Sequence, residues 1–204
     1  MKKNLNIILF WGALWGITEA TLGYVLHIFS IPLPGLPGLL MFPVAFVFMH
    51  RVYDSTQEPI SVVQIALVAA CIKLTDLFFG GLMTIYVINP ALSLIIEALA
   101  VTLVFNFVKK NQRSISFLDS FAMGWLWRGM LLGYMFVISK FSLPAGLVTS
   151  GWGVALRFWI LESFFNAILI RGYLALSENR KSLNPSPALS WLLLIIAIVI
   201  QRVI

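Results

Sequence analysis

The sequence predicts an all-α polytopic membrane protein, whose helices cross the bilayer several times. Of its 204 residues, 60% are hydrophobic and only 11% are charged, whereas about a quarter of the residues of a soluble domain carry a charge. The hydrophobic residues form long runs that end at turn signals or charges, as membrane-spanning helices do. We therefore expect a single transmembrane domain over residues 1–204, located in the cell (plasma) membrane.

Seven apolar segments can be drawn along the chain. The first carries Glu19 and lacks a small-residue cleavage site, so we expect a retained span and not a signal peptide. The second is short and contains Pro43, which predicts a tilted, broken or partly re-entrant helix. The fourth follows Asn89-Pro90, which is typical of a helix that starts with proline at its first position. The predicted spans are 5–29, 39–50, 60–80, 90–108, 117–139, 152–176 and 188–203.

The distribution of basic residues predicts a cytoplasmic N-terminus. Cytoplasmic loops of membrane proteins carry an excess of lysine and arginine. With the N-terminus inside, the outer side has only Lys140 and Arg202. The inner loops then collect Lys2, Lys3, Arg51, Lys109, Lys110, Arg113, Arg180 and Lys181.

The first segment has a face of small and polar residues. Gly12, Gly16 and Ala20 recur every four residues and form a ridge that allows another helix to approach closely in lipid. Because a charge at membrane depth is costly, Glu19 should face a bundle interior or a wet cavity. Tight internal packing and a ligand site both fit this pattern. At 100° per residue, the face with the ridge also includes Glu19, Gly23 and His27.

Ionisable residues inside the predicted spans concentrate at mid-membrane or toward the outer end. Scattered structural ion pairs should show no preference for one leaflet, whereas a cavity that opens outward would gather charges in this way. The signs of these charges are nearly balanced, with four carboxylates, three basic residues and one histidine, so mutual pairing can reduce their desolvation cost. The candidate substrate-binding residues are Glu19, His27, Lys73, Asp76, Glu97, Arg128, Arg157 and Glu162.

Some of these charges also have a purely structural interpretation. Lys73 and Asp76 are three residues apart and are spaced to neutralise each other on one helix face. Arg128 keeps its charge under all conditions and must find a carboxylate or an anionic ligand.

Two polar stripes and a set of tryptophans also have both a structural and a ligand-binding interpretation. The stripes are Asn89-Ser93-Glu97 and Glu162-Asn166, and such stripes more often join helices than bind ligands. The tryptophans could stack on a flat heterocycle or serve as packing and interface anchors. They are Trp11, Trp15, Trp125, Trp127, Trp152 and Trp159.

The sequence contains no known catalytic or metal-binding motif. It has two histidines and a single cysteine, Cys71, and no His-Glu-x-x-His or Gly-x-Ser-x-Gly pattern, so we expect no metal site, no cofactor and no enzymatic activity. It also lacks a phosphate-binding Gly-rich loop, so energy would have to come from an ion gradient or a partner subunit. The basic residues lie in short loops, which predicts membrane orientation and not nucleic-acid binding.

The layout resembles that of the substrate-binding S component of energy-coupling factor (ECF) transporters. The shared features are the chain length, a largely six-helix bundle, the ridge at Gly12, Gly16 and Ala20, and a Pro/Gly-rich loop over 31–38 before a short second helix. The resemblance covers roughly residues 5–176, and the segment over 188–203 is an addition to the usual six helices.

The resemblance implies a subunit that captures a vitamin or related micronutrient in an outward-facing cavity. A transmembrane coupling protein and two cytosolic ATPases would supply the energy. The coupling protein would dock on the ridge of the first helix, and the loop over 30–38 would act as a mobile gate. The mixed charges and tryptophans favour a small zwitterionic or heteroaromatic solute.

Two other functions are compatible with the sequence. An ion-coupled secondary transporter would use Glu19, Asp76, Glu97 or Glu162 as its proton site, with a helix break at Asn89-Pro90. A membrane-embedded enzyme would use Glu19 and His27 for acid–base chemistry. These two residues lie about 12 Å apart along a helix, too far for a direct hydrogen bond.

Overall fold

The computed structural model describes residues 2–29, 36–78, 83–177 and 183–203, and all regular structure in these ranges is helical. Two five-residue π-helical segments interrupt longer helical stretches. Glu19–Gly23 follows the helix that ends at Thr18, and Arg157–Leu161 follows the one that ends at Leu156. A 3₁₀ turn, Thr75–Phe78, extends the helix Ile60–Leu74. The α-helices are α1 (Lys2–Thr18), α2 (Tyr24–Phe29), α3 (Leu36–Thr56), α4 (Ile60–Leu74), α5 (Thr84–Lys110), α6 (Phe117–Ser139), α7 (Gly146–Thr149), α8 (Trp152–Leu156), α9 (Glu162–Ser177) and α10 (Pro187–Val203).

Five helices in the described part of the chain are long and apolar enough to cross a membrane. They agree with the predicted class, an all-helical membrane protein. Helix α10 has 17 residues and is shorter than the other apolar helices, and α3 is not among the five. The count of seven spans and the orientation of the termini stay predictions. The five helices are Asn4–Leu26, Ile60–Phe78, Thr84–Lys110, Phe117–Ser139 and Trp152–Ser177.

Two helices continue through prolines at which the sequence suggested a break or a start. Helix α3 runs without interruption through Pro43, so it is longer than the predicted segment and is not broken. Helix α5 begins at Thr84 and continues through Pro90, so Asn89-Pro90 is neither a helix start nor a helix break. Proline removes one backbone hydrogen bond, but packed neighbouring helices in a membrane protein compensate for the loss.

The first helix does not keep one face along its whole length. A π segment has a wider turn than an α-helix, so counting 100° per residue fails at Glu19–Gly23. Gly12 and Gly16 face Val68 and Ile72 of α4, whereas Gly23 lies near Met41 of α3. The prediction that these glycines share one face is therefore wrong.

Helix α3 lies inside the bundle and contacts α1, α4, α5 and α9. Its fully buried side chains include Phe42, Phe46 and Met49. Around it, α4 packs on α1 and α5, and α6 packs on α5 and α9. This arrangement brings the first turn of α3 against α6 and α9, where the polar residues of the bundle meet.

Helix α10 packs against α1 and α4. Ser190 Oγ donates a hydrogen bond to the Asn6 carbonyl oxygen over 2.9 Å. At the other end, Gln201 Nε2 donates to Asp76 Oδ2 over 2.8 Å. Helix α10 is thus anchored to the bundle by polar contacts at both ends.

Candidate functional site

A cavity of about 490 Å³ opens at one end of the bundle, between the first π segment, the start of α3, α5, α6 and the region of α7 and α8. Most of its surface is apolar, with a few polar groups that converge on it, which is the usual composition of a small-molecule site. Its walls are formed by Glu19, Gly23, Pro37, Gly38, Met41, Asn89, Pro90, Ser93, Leu94, Glu97, Trp127, Leu131, Met135, Gly146, Leu147, Ser150, Val154 and Phe158.

Glu97 is the most deeply buried carboxyl group of the cavity wall, with 6% of its surface exposed. Ser93, one helical turn earlier on α5, donates a hydrogen bond to its Oε1 over 3.4 Å. Its Oε2 has no hydrogen-bond partner among the described residues. A buried acceptor without a donor is costly, so this oxygen is suited to receive a hydrogen bond from a bound molecule.

Glu19 contributes a second carboxyl group to the cavity. The Trp15 indole nitrogen donates to its Oε1 over 3.3 Å. Glu19 and Glu97 thus line the same cavity from two different helical segments. In the described part of the chain, no lysine or arginine nitrogen lies within 4.0 Å of either carboxyl group.

Arg128 lies behind the cavity wall and is fully buried. Its guanidinium group sits 4.5 Å from the centre of the Trp127 ring and 5.1 Å from that of Phe158. One nitrogen, Nη2, donates to the Gly38 carbonyl oxygen over 3.0 Å and lies 3.6 Å from Glu162 Oε2. The carboxylate that the sequence required for Arg128 is therefore Glu162.

Glu162 and Asn166 connect α9 to its neighbours. Arg157 Nε lies 3.9 Å from Glu162 Oε1, so this carboxylate faces two guanidinium groups. Asn166 Nδ2 donates to the Leu39 carbonyl oxygen over 2.6 Å. This polar stripe joins α9 to α6 and to the first turn of α3, and neither of its residues lines the cavity.

Lys73 and Asp76 lie apart from the cavity and pair with each other. Lys73 Nζ is 2.9 Å from Asp76 Oδ2, which also receives the hydrogen bond from Gln201 of α10. The arrangement matches the structural interpretation of this pair. Neither residue belongs to the cavity wall.

His27 belongs to α2 by its backbone, but its side chain is outside the described part of the structure. The same holds for most of the predicted gate, because the description resumes at residue 36 after residue 29. The acid–base pair of Glu19 and His27, and the gate over 30–38, therefore stay predictions.

The glycine ridge of the first helix is in contact with α4 of the same chain. A Cβ atom at Gly12 would lie 2.6 Å from Val68 Cβ, and one at Gly16 would lie 2.6 Å from Ile72 Cδ1. Ala20 is also buried. The ridge thus serves tight internal packing, and docking of a partner there stays a prediction.

The tryptophans have separate surroundings. Trp127 lines the cavity, but Arg128 occupies one face of its ring. Trp125 and Trp159 stack on each other with centroids 5.1 Å apart, outside the cavity wall. Trp152 is 82% exposed, as expected for an interface anchor.

Sequence reasoning missed several residues of the cavity wall. Met41 and Met135 are isolated positions without a charge or motif, and α7 has only four residues, too few for a periodic pattern. One signal was present: Asn89 and Ser93 precede Glu97 at helical spacing. Tyr134 donates a hydrogen bond to Asn89 Oδ1 over 2.7 Å and so joins α6 to α5 beside the cavity.

Compared with protein-family models, curated proteins and solved structures, the chain shows no significant match.

Proposed function

We propose that this chain is the substrate-binding subunit of an uptake system in the cell membrane and that it captures a small water-soluble solute in the cavity. One observation carries the proposal: two carboxyl groups, Glu19 and Glu97, line a cavity of about 490 Å³ inside a bundle of apolar helices. Ionisable groups at membrane depth are expensive and usually mark a substrate or ion path.

The position of the cavity supports uptake. Its wall includes the first turn of α3 and three residues that precede α8: Gly146, Leu147 and Ser150. The excess of basic residues in the other loops predicts that these parts lie on the outer side. A solute would therefore enter from outside the cell, in agreement with the resemblance to S components of ECF transporters.

A partner would supply the energy for release to the inside. The sequence has no phosphate-binding loop, so the proposed system includes a transmembrane coupling protein and cytosolic ATPase subunits. The proposed solute is a vitamin or related micronutrient, which an organism collects at low concentration and which justifies a dedicated binding subunit.

Native mass spectrometry of the gently purified full-length protein tests this proposal. We expect a retained small molecule, or one that binds from a growth-medium extract, together with co-purifying partner subunits. A protein that stays empty in the presence of the extract and retains no partner would contradict the proposal.

An ion-coupled secondary transporter is the second candidate. The observation that favours it is the free Oε2 of Glu97, which could carry a proton into the cavity. Such a protein would move its solute without any partner. Solute flux into liposomes that contain only this chain, driven by a proton gradient, would favour this candidate over the first.

A further inference from the structure

The cavity wall carries two carboxyl groups that have no basic partner among the described residues. Arg128 is paired with Glu162 at 3.6 Å, and Lys73 is paired with Asp76 at 2.9 Å. Glu19 and Glu97 have no comparable partner among the described residues. In the described ranges, no lysine or arginine belongs to the cavity wall.

Two buried hydrogen-bonding groups of the wall have no partner among the described residues: the acceptor Glu97 Oε2 and the donor Trp127 Nε1. Glu97 Oε2 accepts no hydrogen bond from the described residues, and only 6% of the surface of Glu97 is exposed. Arg128, the nearest guanidinium, donates to the Gly38 carbonyl oxygen and lies behind the Trp127 ring, so it does not line the cavity. Among the described residues of the wall, an anionic solute would meet two carboxyl groups and no lysine or arginine.

Most of the remaining wall is apolar and suits a carbon skeleton. Met41, Leu94, Leu131 and Met135 line the cavity, and methionine adapts its shape to different ligands. Because Arg128 covers one face of Trp127, the indole offers a solute less stacking area than its position suggests.

We infer that the solute is a protonated organic amine with an apolar body, whose N–H group donates a hydrogen bond to Glu97 Oε2 while Glu19 contributes to neutralising its charge. This inference rests on the proposed function, because it names the chemical class that the proposed binding site selects. It replaces the zwitterionic or heteroaromatic solute that the sequence favoured with a net cation.

Charge-sorted binding tests the inference. A growth-medium extract is separated by ion exchange at neutral pH into cationic, uncharged and anionic fractions. Each fraction is incubated with the full-length protein in nanodiscs, and mass spectrometry then identifies the bound small molecules. We expect a bound molecule from the cationic fraction alone.

Variants connect this result to the cavity. Glu97→Gln keeps the size of the side chain and removes its charge, so we expect the affinity for the cation to fall by about tenfold or more. Glu58→Gln makes the same change at an exposed position outside the cavity and should bind as the unmodified protein does. Glu19→Gln provides a second test if Glu97→Gln does not fold, and it should also weaken binding.

Each outcome has a defined meaning. A molecule bound from the uncharged or anionic fraction would overturn the inference and leave the proposed function in place. A cation that both glutamate variants of the cavity bind with full affinity would overturn the assigned contacts and the inference with them. No bound molecule from any fraction would overturn both the inference and the proposed function.

Discussion

The guanidinium group of Arg128 donates a hydrogen bond to the carbonyl oxygen of Gly38 over 3.0 Å. This bond ties the middle of α6 to the first turn of α3, directly behind the wall of the cavity. The first turn of α3 packs closely on Phe158 at Gly38, since a Cβ atom at this position would lie 3.3 Å from the Phe158 ring. The shape of the cavity therefore depends on a buried charge that does not itself line it.

The ion pair of Arg128 and Glu162 should be energetically coupled. Removing one partner of a buried pair typically costs about 3–5 kcal/mol, so we expect Arg128→Met to lower the free energy of unfolding by about this amount. Glu162→Gln should cost a similar amount, because it leaves the buried charge of Arg128 without its carboxylate. Denaturation of the purified protein in detergent measures both losses. The double variant should lose less than the sum of the single variants, and strictly additive losses would show that the pair is not coupled.

Asn166 should stabilise the start of α3. Its side chain donates to the Leu39 carbonyl oxygen over 2.6 Å and is fully buried. Asn166→Ala leaves this carbonyl without its donor, so we expect a loss of about 1–3 kcal/mol in the free energy of unfolding. Asn106→Ala, at an exposed position of α5, is the matched control and should change little. Equal effects of the two variants would argue against an anchoring role.

The glycines of α1 should differ in their tolerance of alanine. A Cβ atom at Gly12 would meet Val68 Cβ at 2.6 Å and the Ile65 carbonyl oxygen at 3.0 Å, and a backbone atom moves only with its helix. At Gly16 the closest atom is the end of the flexible Ile72 side chain. Gly12→Ala should therefore lower the thermal midpoint more than Gly16→Ala does.

Gly133→Ala on α6 is the control for the glycine series. A Cβ atom there would have no neighbour within 4 Å, so the better helix propensity of alanine should leave the midpoint unchanged or slightly raised. A similar drop at positions 12 and 133 would contradict close packing of α1 on α4.

Trp127 should contribute a hydrogen-bond donor to the solute. Its indole nitrogen has no partner among the described residues, and the residue lines the cavity. Trp127→Phe removes this donor, so we expect weaker retention of the solute in native mass spectrometry. Trp159→Phe makes the same change outside the cavity wall, where the nitrogen donates to the Trp125 carbonyl oxygen over 3.0 Å. This control should retain the solute, and weaker retention by the control alone would contradict the assignment.

The predicted orientation can be tested with single cysteines. In a Cys71→Ser background, a membrane-impermeant maleimide applied to intact cells should label Leu143→Cys but not Ser114→Cys, because basic residues place the loop near Ser114 inside. Both positions are exposed. After the membrane is permeabilised, both should be labelled. The reverse pattern would invert the topology and place the opening of the cavity on the cytoplasmic side.

The sequence predicted the features that depend on composition and on local spacing. The all-helical class follows from composition, and the need of Arg128 for a carboxylate or an anionic ligand follows from the cost of charge in an apolar surrounding. For Lys73 and Asp76, the spacing left mutual pairing and substrate binding both open, and the structure shows the pairing. Features that depend on tertiary packing were not predictable. Pro90 lies within a continuous helix because its neighbours support it, and the four residues of α7 reach the cavity only through the fold.

The π segment at Glu19–Gly23 divides the first span into two parts with different neighbours. The residues before it pack on α4 and α10, whereas Glu19 and Gly23 line the cavity. The two parts should therefore vary independently in evolution. Packing against α4 limits which residues fit at positions 12 and 16, and the chemistry of the solute limits which residues fit at positions 19 and 23. Relatives that take up a different solute should keep small residues at positions 12 and 16 and diverge at positions 19 and 23.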